Sequence, residues 1–283
     1  METGNGQEAQ TATLVLGGTG KTGRRVAQRL TARGLSVRVG SRSGEPPFDW
    51  DDEATWAPAL KDVGSVYVSY YPDLAVPGSV AAVRSFAEMA VERGIRRLVL
   101  LSGRGEEEAQ RAERAVQEAG AGWTIVRCSW FNQNFSENYL LEPILEGKVV
   151  LPAGDVPEPF VDADDIADVA VAALTQEGHA GTLYELTGPR LLTFAEAIAD
   201  ISQASGRKIR FVPITVEEYA SVLAEQEVPA GFVWLLTYLF GEVLDGRNAY
   251  LTDGVQRALG REPKDFADYA RDAAATGIWG GER

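Results

Sequence analysis

The segment Gly17-Gly18-Thr19-Gly20-Lys21-Thr22-Gly23 restricts the fold of this chain more than any other stretch. It follows an apolar run over 13–16 and opens a helical pattern that continues to about residue 32. Gly17 permits a tight turn, Gly20 lets backbone amides approach a pyrophosphate, and Gly23 lets the helix pack on the strand. The N-terminus of the helix then faces the anion. A second strand over 36–39 closes a βαβ unit of about 30 residues. A glycine pattern alone is a weak signal. Set between a strand and a helix inside such a unit, it predicts a dinucleotide cradle in which Gly17, Thr19, Gly20, Lys21, Thr22 and Gly23 hold the phosphates. The spacing is Gly-x-x-Gly-x-x-Gly, not the Gly-x-Gly-x-x-Gly of many dehydrogenases.

The end of the second strand discriminates between cofactors. An NAD site places Asp or Glu there to accept from the ribose hydroxyls. This chain has Val37-Arg38-Val39-Gly40-Ser41-Arg42-Ser43 instead. Arg42 can make a paired contact with a 2′-phosphate, and Ser41 and Ser43 can donate to it. No carboxylate is present to repel that phosphate, so NADP(H) is the expected cofactor.

The first half continues to alternate, with strands expected over 65–69, 97–101 and 124–128 and helices over 78–93 and 106–118. That alternation predicts a parallel sheet covered by helices. Glu106, Glu107 and Glu108 read as a solvated first helical turn. Further on, a helix is expected over 164–174 and a strand over 182–186. Another helix, over 193–205, opens on the capping box of Thr193 and Glu196 and ends at Gly206. Beyond residue 215 only helices are expected. Asp162, Asp164 and Asp165 read as helix N-terminal carboxylates in preference to a cation site.

Composition narrows the function classes. A net charge of −14 disfavours nucleic acid, because a duplex-binding surface needs clustered Lys and Arg. Lys21, Arg24, Arg25 and Arg29 are better matched to a smaller anion. The only cysteine, Cys128, lies in an apolar run and reads as a buried strand thiol, and the only histidine, His179, lies in a loop. One Cys and one His leave no disulfide, no structural zinc site and no supported nucleophile–histidine pair. No apolar run reaches the roughly 18–20 residues that span a bilayer. Residues 1–11 read as a disordered tail without a signal-peptide pattern, and a cytoplasmic protein with no membrane partner is expected.

Several segments, taken in order, carry a family resemblance. They are the turn over 17–23, Gly34-Leu-Ser-Val-Arg-Val-Gly-Ser-Arg42, Val99-Leu-Leu-Ser102, Trp123-Thr-Ile-Val-Arg-Cys-Ser-Trp-Phe-Asn-Gln-Asn134, Phe160-Val-Asp-Ala-Asp-Asp-Ile-Ala167 and Tyr184-Glu-Leu-Thr-Gly188. The chain resembles the NmrA-like group of atypical short-chain dehydrogenases/reductases, especially its bacterial NADPH-dependent quinone-reductase-like members. The resemblance implies an α/β fold: a Rossmann-like, doubly wound parallel sheet with a smaller, discontinuous α-rich C-terminal domain. The expected division is 12–132 with return segments at about 161–187 for the cofactor domain, and 133–160 with 188–283 for the substrate domain. A cleft between them would take nicotinamide and substrate. The resemblance further implies that the loop containing Ser69, Tyr70, Tyr71 and Pro72 lies along the cofactor, and that the segment from Phe131 to Asn134 approaches the nicotinamide.

Short-chain dehydrogenases use Tyr-x-x-x-Lys on the helix after the Ser102 strand, the tyrosine giving a proton and the lysine lowering its pKa. Here that helix reads Gly105-Glu-Glu-Glu-Ala109-Gln-Arg-Ala-Glu113 and has neither residue. An activated acceptor such as a quinone or a flat carbonyl compound can take hydride directly, with hydrogen bonds stabilising the anion. Donors at strand carboxyl ends are the candidates: Ser69, Tyr70 and Tyr71; Ser102 with Gly103; Asn132 with Asn134. Tyr70, Ser102 and Asn132 are the expected catalytic set, and Ser69, Tyr71, Ser102 and Gly103 are expected beside the cofactor. Interface packing is the competing reading for the tyrosines, and loop capping for the asparagines. Trp234, Leu235, Tyr238, Leu239 and Phe240 form a stripe that reads either as a substrate wall or as core. The leading expectation is an NADPH-dependent oxidoreductase of a small flat acceptor, monomeric or homodimeric. A non-catalytic NADP(H) sensor with a protein partner, or a non-redox enzyme on the same fold, are the alternatives.

Overall fold

The computed structural model describes residues 11–280, and the N-terminal tail expected over 1–11 lies, up to residue 10, outside the described residues. β1 (Ala12–Leu16) is apolar and buried over most of its length, and it leads through the glycine turn into α1 (Lys21–Ala32). Thr22, Gly23, Val26, Ala27 and Leu30 recur at helical spacing and form the buried face of α1. β2 (Val37–Gly40) follows, then α2 (Trp56–Ala59), β3 (Val63–Val68) and α3 (Ser79–Glu92), which buries Val83, Phe86, Ala87 and Ala90. β4 (Arg97–Gly103), α4 (Glu107–Glu118) and β5 (Gly122–Cys128) continue the alternation.

These strands, with β7 (Thr182–Leu186), make a six-stranded sheet in the order β2-β1-β3-β4-β5-β7. β1 pairs in parallel with β2 and with β3, and β3 with β4. Gly122 N–H donates to Arg96 O before β4 and β5, and Arg104 N–H to Cys128 O after them, so that pair is parallel too. The bonds from Gly181 to Trp123 and from Ser129 to Leu186 give β7 the same sense. The order reverses across β1, with β2 on one side and β3 on the other, and such a switch point places ligands beyond the strand carboxyl ends.

The rest of the chain supplies α5 (Leu141–Leu145), β6 (Lys148–Leu151), α6 (Ala163–Thr175), α7 (Phe194–Ser205), β8 (Arg210–Pro213), α8 (Val216–Glu225), α9 (Ala230–Tyr238), α10 (Gly254–Leu259) and α11 (Phe266–Ala275). A π-helical turn, Leu239–Val243, extends α9. The capping box at α7 forms as expected, with Thr193 Oγ1 accepting from Glu196 N–H and Gly206 in the left-handed region at the other end. Beyond Thr215 all regular structure is helical. The parallel pair β6–β8 was not anticipated, because Lys-Val-Val-Leu and Arg-Phe-Val-Pro are too short to show a period.

The chain forms two compact units. One comprises the described residues up to Ser102, Gln110–Val126 and Ala167–Leu183. The other comprises Gly103–Ala109, Arg127–Ile166 and Tyr184 onward. The second is built on an aromatic core in which Phe135, Phe160, Phe194 and Phe266 are buried at ring separations of 5.0–5.9 Å. Each such ring contributes about 1.5–3 kcal/mol by leaving water. Among the described residues no helix is long and apolar enough to cross a membrane.

Candidate active site

The turn after β1 is set by sterics. Gly17 has φ +62°, and a Cβ there would touch Ser69 at 3.4 Å, so the turn lies directly against the end of β3. A Cβ on Gly23 would collide with the Gly17 carbonyl oxygen, so that position accepts only glycine while the turn keeps this shape. Gly17 N–H donates to Gly40 O at 3.0 Å, which ties the turn to the end of β2. Thr19 and Gly20 are exposed, Lys21 is half-buried and Thr22 is buried.

Gly20 is the N-cap of α1, with no side-chain cap and no acidic residue in the first turn. The first amides of a 12-residue helix are thereby left facing outward, with the positive end of the helix dipole behind them. Ser41, Arg42 and Ser43 stand at the end of β2; Arg42 is exposed, and the Ser41 and Ser43 hydroxyls lie 3.5 Å apart. A dinucleotide phosphate fits this arrangement, because no side chain caps the first amides and the first turn carries no acidic residue. Arg29 and Arg25 have partners within the protein: Arg29 Nε pairs with Asp168 on α6 at 2.7 Å, and Arg25 Nη1 donates to Lys21 O at 2.8 Å.

At the end of β3, Trp50 Nε1 donates to Ser69 O at 3.1 Å, and its ring packs 4.9 Å from that of Tyr70. Phe48, Trp56 and Phe86 complete this aromatic nest. Tyr70 is therefore half-packed, and burial together with Asp51 pushes its hydroxyl pKa up, so it stays protonated at neutral pH. Tyr71, by comparison, is 64% exposed. At the end of β4 the Ser102 hydroxyl donates to Glu113 Oε1 at 2.6 Å, both groups buried. Its lone pairs are thus left to accept. Glu113 was missed in sequence because α4 reads as a charged helix, yet Ala109, Ala112, Glu113 and Val116 form one buried stripe. A glutamate inside an alanine–valine stripe was the available signal.

Glu106 is buried, not solvated as expected, and its carboxylate fills the space a side chain at Gly103 would need. Asn132 is fully buried; its Nδ2 donates to Asp162 Oδ2 at 3.3 Å and its Oδ1 has no hydrogen-bond partner among the described residues. Gln133 joins the same carboxylate at 3.0 Å and accepts from Ala163 N–H at 2.7 Å. Asp162 also caps α6 by accepting from Asp164 N–H, whereas Asp165 binds Arg261 at 2.6 Å and Lys264 N–H at 2.7 Å. The donor expected of Asn132 is thus engaged in fixing its own turn.

The aromatic stripe divides. Leu235 and Phe240 are core, whereas Trp234 is 43% exposed and stacks on Tyr238 at 5.4 Å with planes 5° apart. Cys128 is buried with its thiol pKa pushed up, and His179 is buried with its pKa lowered, so neither is poised for chemistry. No cluster of metal-ligating residues occurs among the described residues.

Two further groups escaped sequence reading. The Ser129 hydroxyl, just past β5, donates at 3.0 Å to Glu158, a fully buried carboxyl whose pKa burial pushes up to about 7. Glu158 lies in a proline- and acid-rich stretch, where a buried acid has no distinguishing pattern.

Residues 17–177 match the model of a family described as NAD(P)H-binding. The chain is 31% identical to an uncharacterized oxidoreductase, YesF, of Bacillus subtilis (strain 168), over 95% of this chain and 98% of that one. It is 29% identical to the NAD(P)H azoreductase of Xenophilus azovorans, over 93% and 98%. The NADPH-dependent quinone oxidoreductase from Escherichia coli, solved in complex with NADPH, shares the fold at a TM-score of 0.74 and 20% identity, covering 92% of this chain and 99% of that one.

Proposed function

The chain belongs to the NAD(P)H-binding family, and on that premise we propose that it is an NADPH-dependent reductase of small, flat, electron-poor acceptors of the quinone or azo type. The observation that carries this reading is the pairing of an uncapped α1 N-terminus with Ser41-Arg42-Ser43 at the end of β2. The first recognises a pyrophosphate and the second a 2′-phosphate. The bound dihydronicotinamide supplies the hydride. Gly17, Thr19, Gly20, Lys21, Thr22 and Gly23 hold the phosphates, while Ser69, Tyr71, Ser102 and Gly103 line the cofactor along the strand ends.

Ser102, its proton held by Glu113, accepts a hydrogen bond from the ligand. Tyr70, protonated at neutral pH, donates one to the reduced acceptor. Asn132 acts through the turn that it and Gln133 anchor on Asp162. The acceptor class follows from chemistry: α4 reads Glu-Glu-Ala-Gln-Arg-Ala-Glu-Arg-Ala-Val-Gln-Glu, without the tyrosine–lysine pair that helps an unactivated carbonyl. Names among the relatives, azoreductase and quinone oxidoreductase, point the same way. The test is loss of the NADPH absorbance with a panel of quinones and azo dyes. Turnover is expected; tight NADPH binding with no turnover on any of them would refute the reductase reading.

A further inference from the structure

The carboxyl end of β3 is held from outside the sheet. The parallel ladder fixes this strand as far as Tyr67 against β1 and Val68 against β4, and Ser69 lies one residue beyond it. The Ser69 carbonyl oxygen accepts from Trp50 Nε1–H at 3.1 Å. Its side chain lies against the phosphate turn, since a Cβ on Gly17 would stand 3.4 Å from both Ser69 Cβ and Ser69 Oγ. A single residue thus joins the turn expected to receive the dinucleotide to a tryptophan earlier in the chain.

Trp50 is itself fixed. Its ring lies 5.1 Å from Phe48, 5.8 Å from Trp56 and 5.3 Å from Phe86, and those three rings are buried. The loop that carries it is tied down on both sides. Phe48 N–H donates to Ser41 O at 2.9 Å, and Trp56 Nε1–H to Asp49 O at 2.7 Å. Close packing of this kind restricts the indole to few rotamers. If filling the nest were its whole role, a phenylalanine would serve, as at positions 48 and 86. The indole adds a donor at the point where the ladder stops.

We propose that Trp50 is a cofactor-positioning residue: by holding Ser69 O it keeps the Ser69 hydroxyl against the phosphate turn, in the orientation that meets the dinucleotide. This rests on the placement of Ser69 beside the cofactor proposed above. Trp50, Ser69, the glycine turn and Arg42 all belong to one compact unit. Trp50 acts only through Ser69. Because its hydrogen bond is already made in the free protein, the strand end does not have to be ordered when the ligand arrives, and the avoided ordering appears as affinity. Ser69 stands at the end of β3, whereas the 2′-phosphate is read at the end of β2, so the gain is common to NADPH and NADH.

The test is a set of Kd values for NADPH and NADH, with melting temperatures as the control for folding. Trp50→Phe keeps a ring and removes the donor, and should weaken both cofactors alike by about five- to tenfold. Trp50→Tyr also lacks the indole N–H and carries the same comparison if Trp50→Phe does not fold. Trp56→Phe removes the neighbouring indole donor, which reaches Asp49 O and not Ser69. It should lower the melting temperature and leave both Kd values within about twofold of wild type. In a Ser69→Ala background the effect of Trp50→Phe should shrink below about twofold, because the hydroxyl it positions is gone. Wild-type affinity in Trp50→Phe, a loss confined to NADPH, an equal loss in Trp56→Phe, or an undiminished loss in the Ser69→Ala background overturns the positioning role. A wild-type protein that binds neither cofactor overturns the cofactor site and this role with it.

Discussion

At Arg42 the quantity of interest is the difference between two ribose ends, a 2′-hydroxyl and a 2′-phosphate. A charge-assisted hydrogen bond contributes about 1.5–3 kcal/mol. Arg42→Ala should therefore reduce the preference for NADPH over NADH by about tenfold or more while leaving NADH binding intact, as read from Kd values for both cofactors. An unchanged ratio would show that the 2′-phosphate is held elsewhere. At Glu158 the sign follows from linkage. Its pKa is raised from 4.5 to about 7 in the folded protein, so its contribution to stability is fully present below about pH 4.5 and is lost as pH rises through 7. At about 1.4 kcal/mol per pH unit, the loss is about 3 kcal/mol. Glutamine does not titrate, so the stability of Glu158→Gln relative to wild type should rise by about that amount between pH 4.5 and pH 8 in urea melts. A pH-independent difference would mean that the buried carboxyl does not titrate there.

The start of α1 shows how one element can trade stability for binding. Helix N-caps favour Asp, Asn, Ser or Thr by about 0.5–2 kcal/mol over residues that cannot cap, and a carboxylate there also complements the dipole. This helix has Gly20 at that position, without a side-chain cap. Gly20→Asp should leave the melting temperature of the cofactor-free protein unchanged or higher and weaken NADPH binding at least about tenfold, because the carboxylate occupies the phosphate position and repels it. Unaltered binding would remove this helix end from the site. The same local logic made α7 readable in the sequence, since Thr193, Glu196 and Gly206 signal both its ends without reference to any partner. α4 was readable as a helix but not in its orientation. Which of its glutamates faces the sheet depends on packing, and packing turns Glu113 inward toward Ser102.

For the molecule as a whole, a ligand that binds only the folded state stabilises it by mass action. NADPH at a hundredfold above its Kd adds about 2.7 kcal/mol, enough to raise the melting temperature by about 5 °C or more for a chain of this size. NADH at the same concentration should raise it less; equal shifts would count against the Arg42 assignment. The glycine turn, the strand–helix alternation, the cofactor class and the apolar strands were legible in the residues, because each rests on local sterics or periodicity that a few neighbours decide. Gly17 and Gly23 fit their places for backbone reasons alone. The pairing of β6 with β8, the inward turn of Glu106 and Glu113, the engagement of Asn132 with Asp162, the aromatic nest around Trp50 and the burial of Glu158 beside Ser129 came only with the tertiary structure. A side chain's exposure and partners are set by residues far away in sequence, and for an ionisable group those two quantities decide whether it is a solvated charge or a protonated acid at neutral pH.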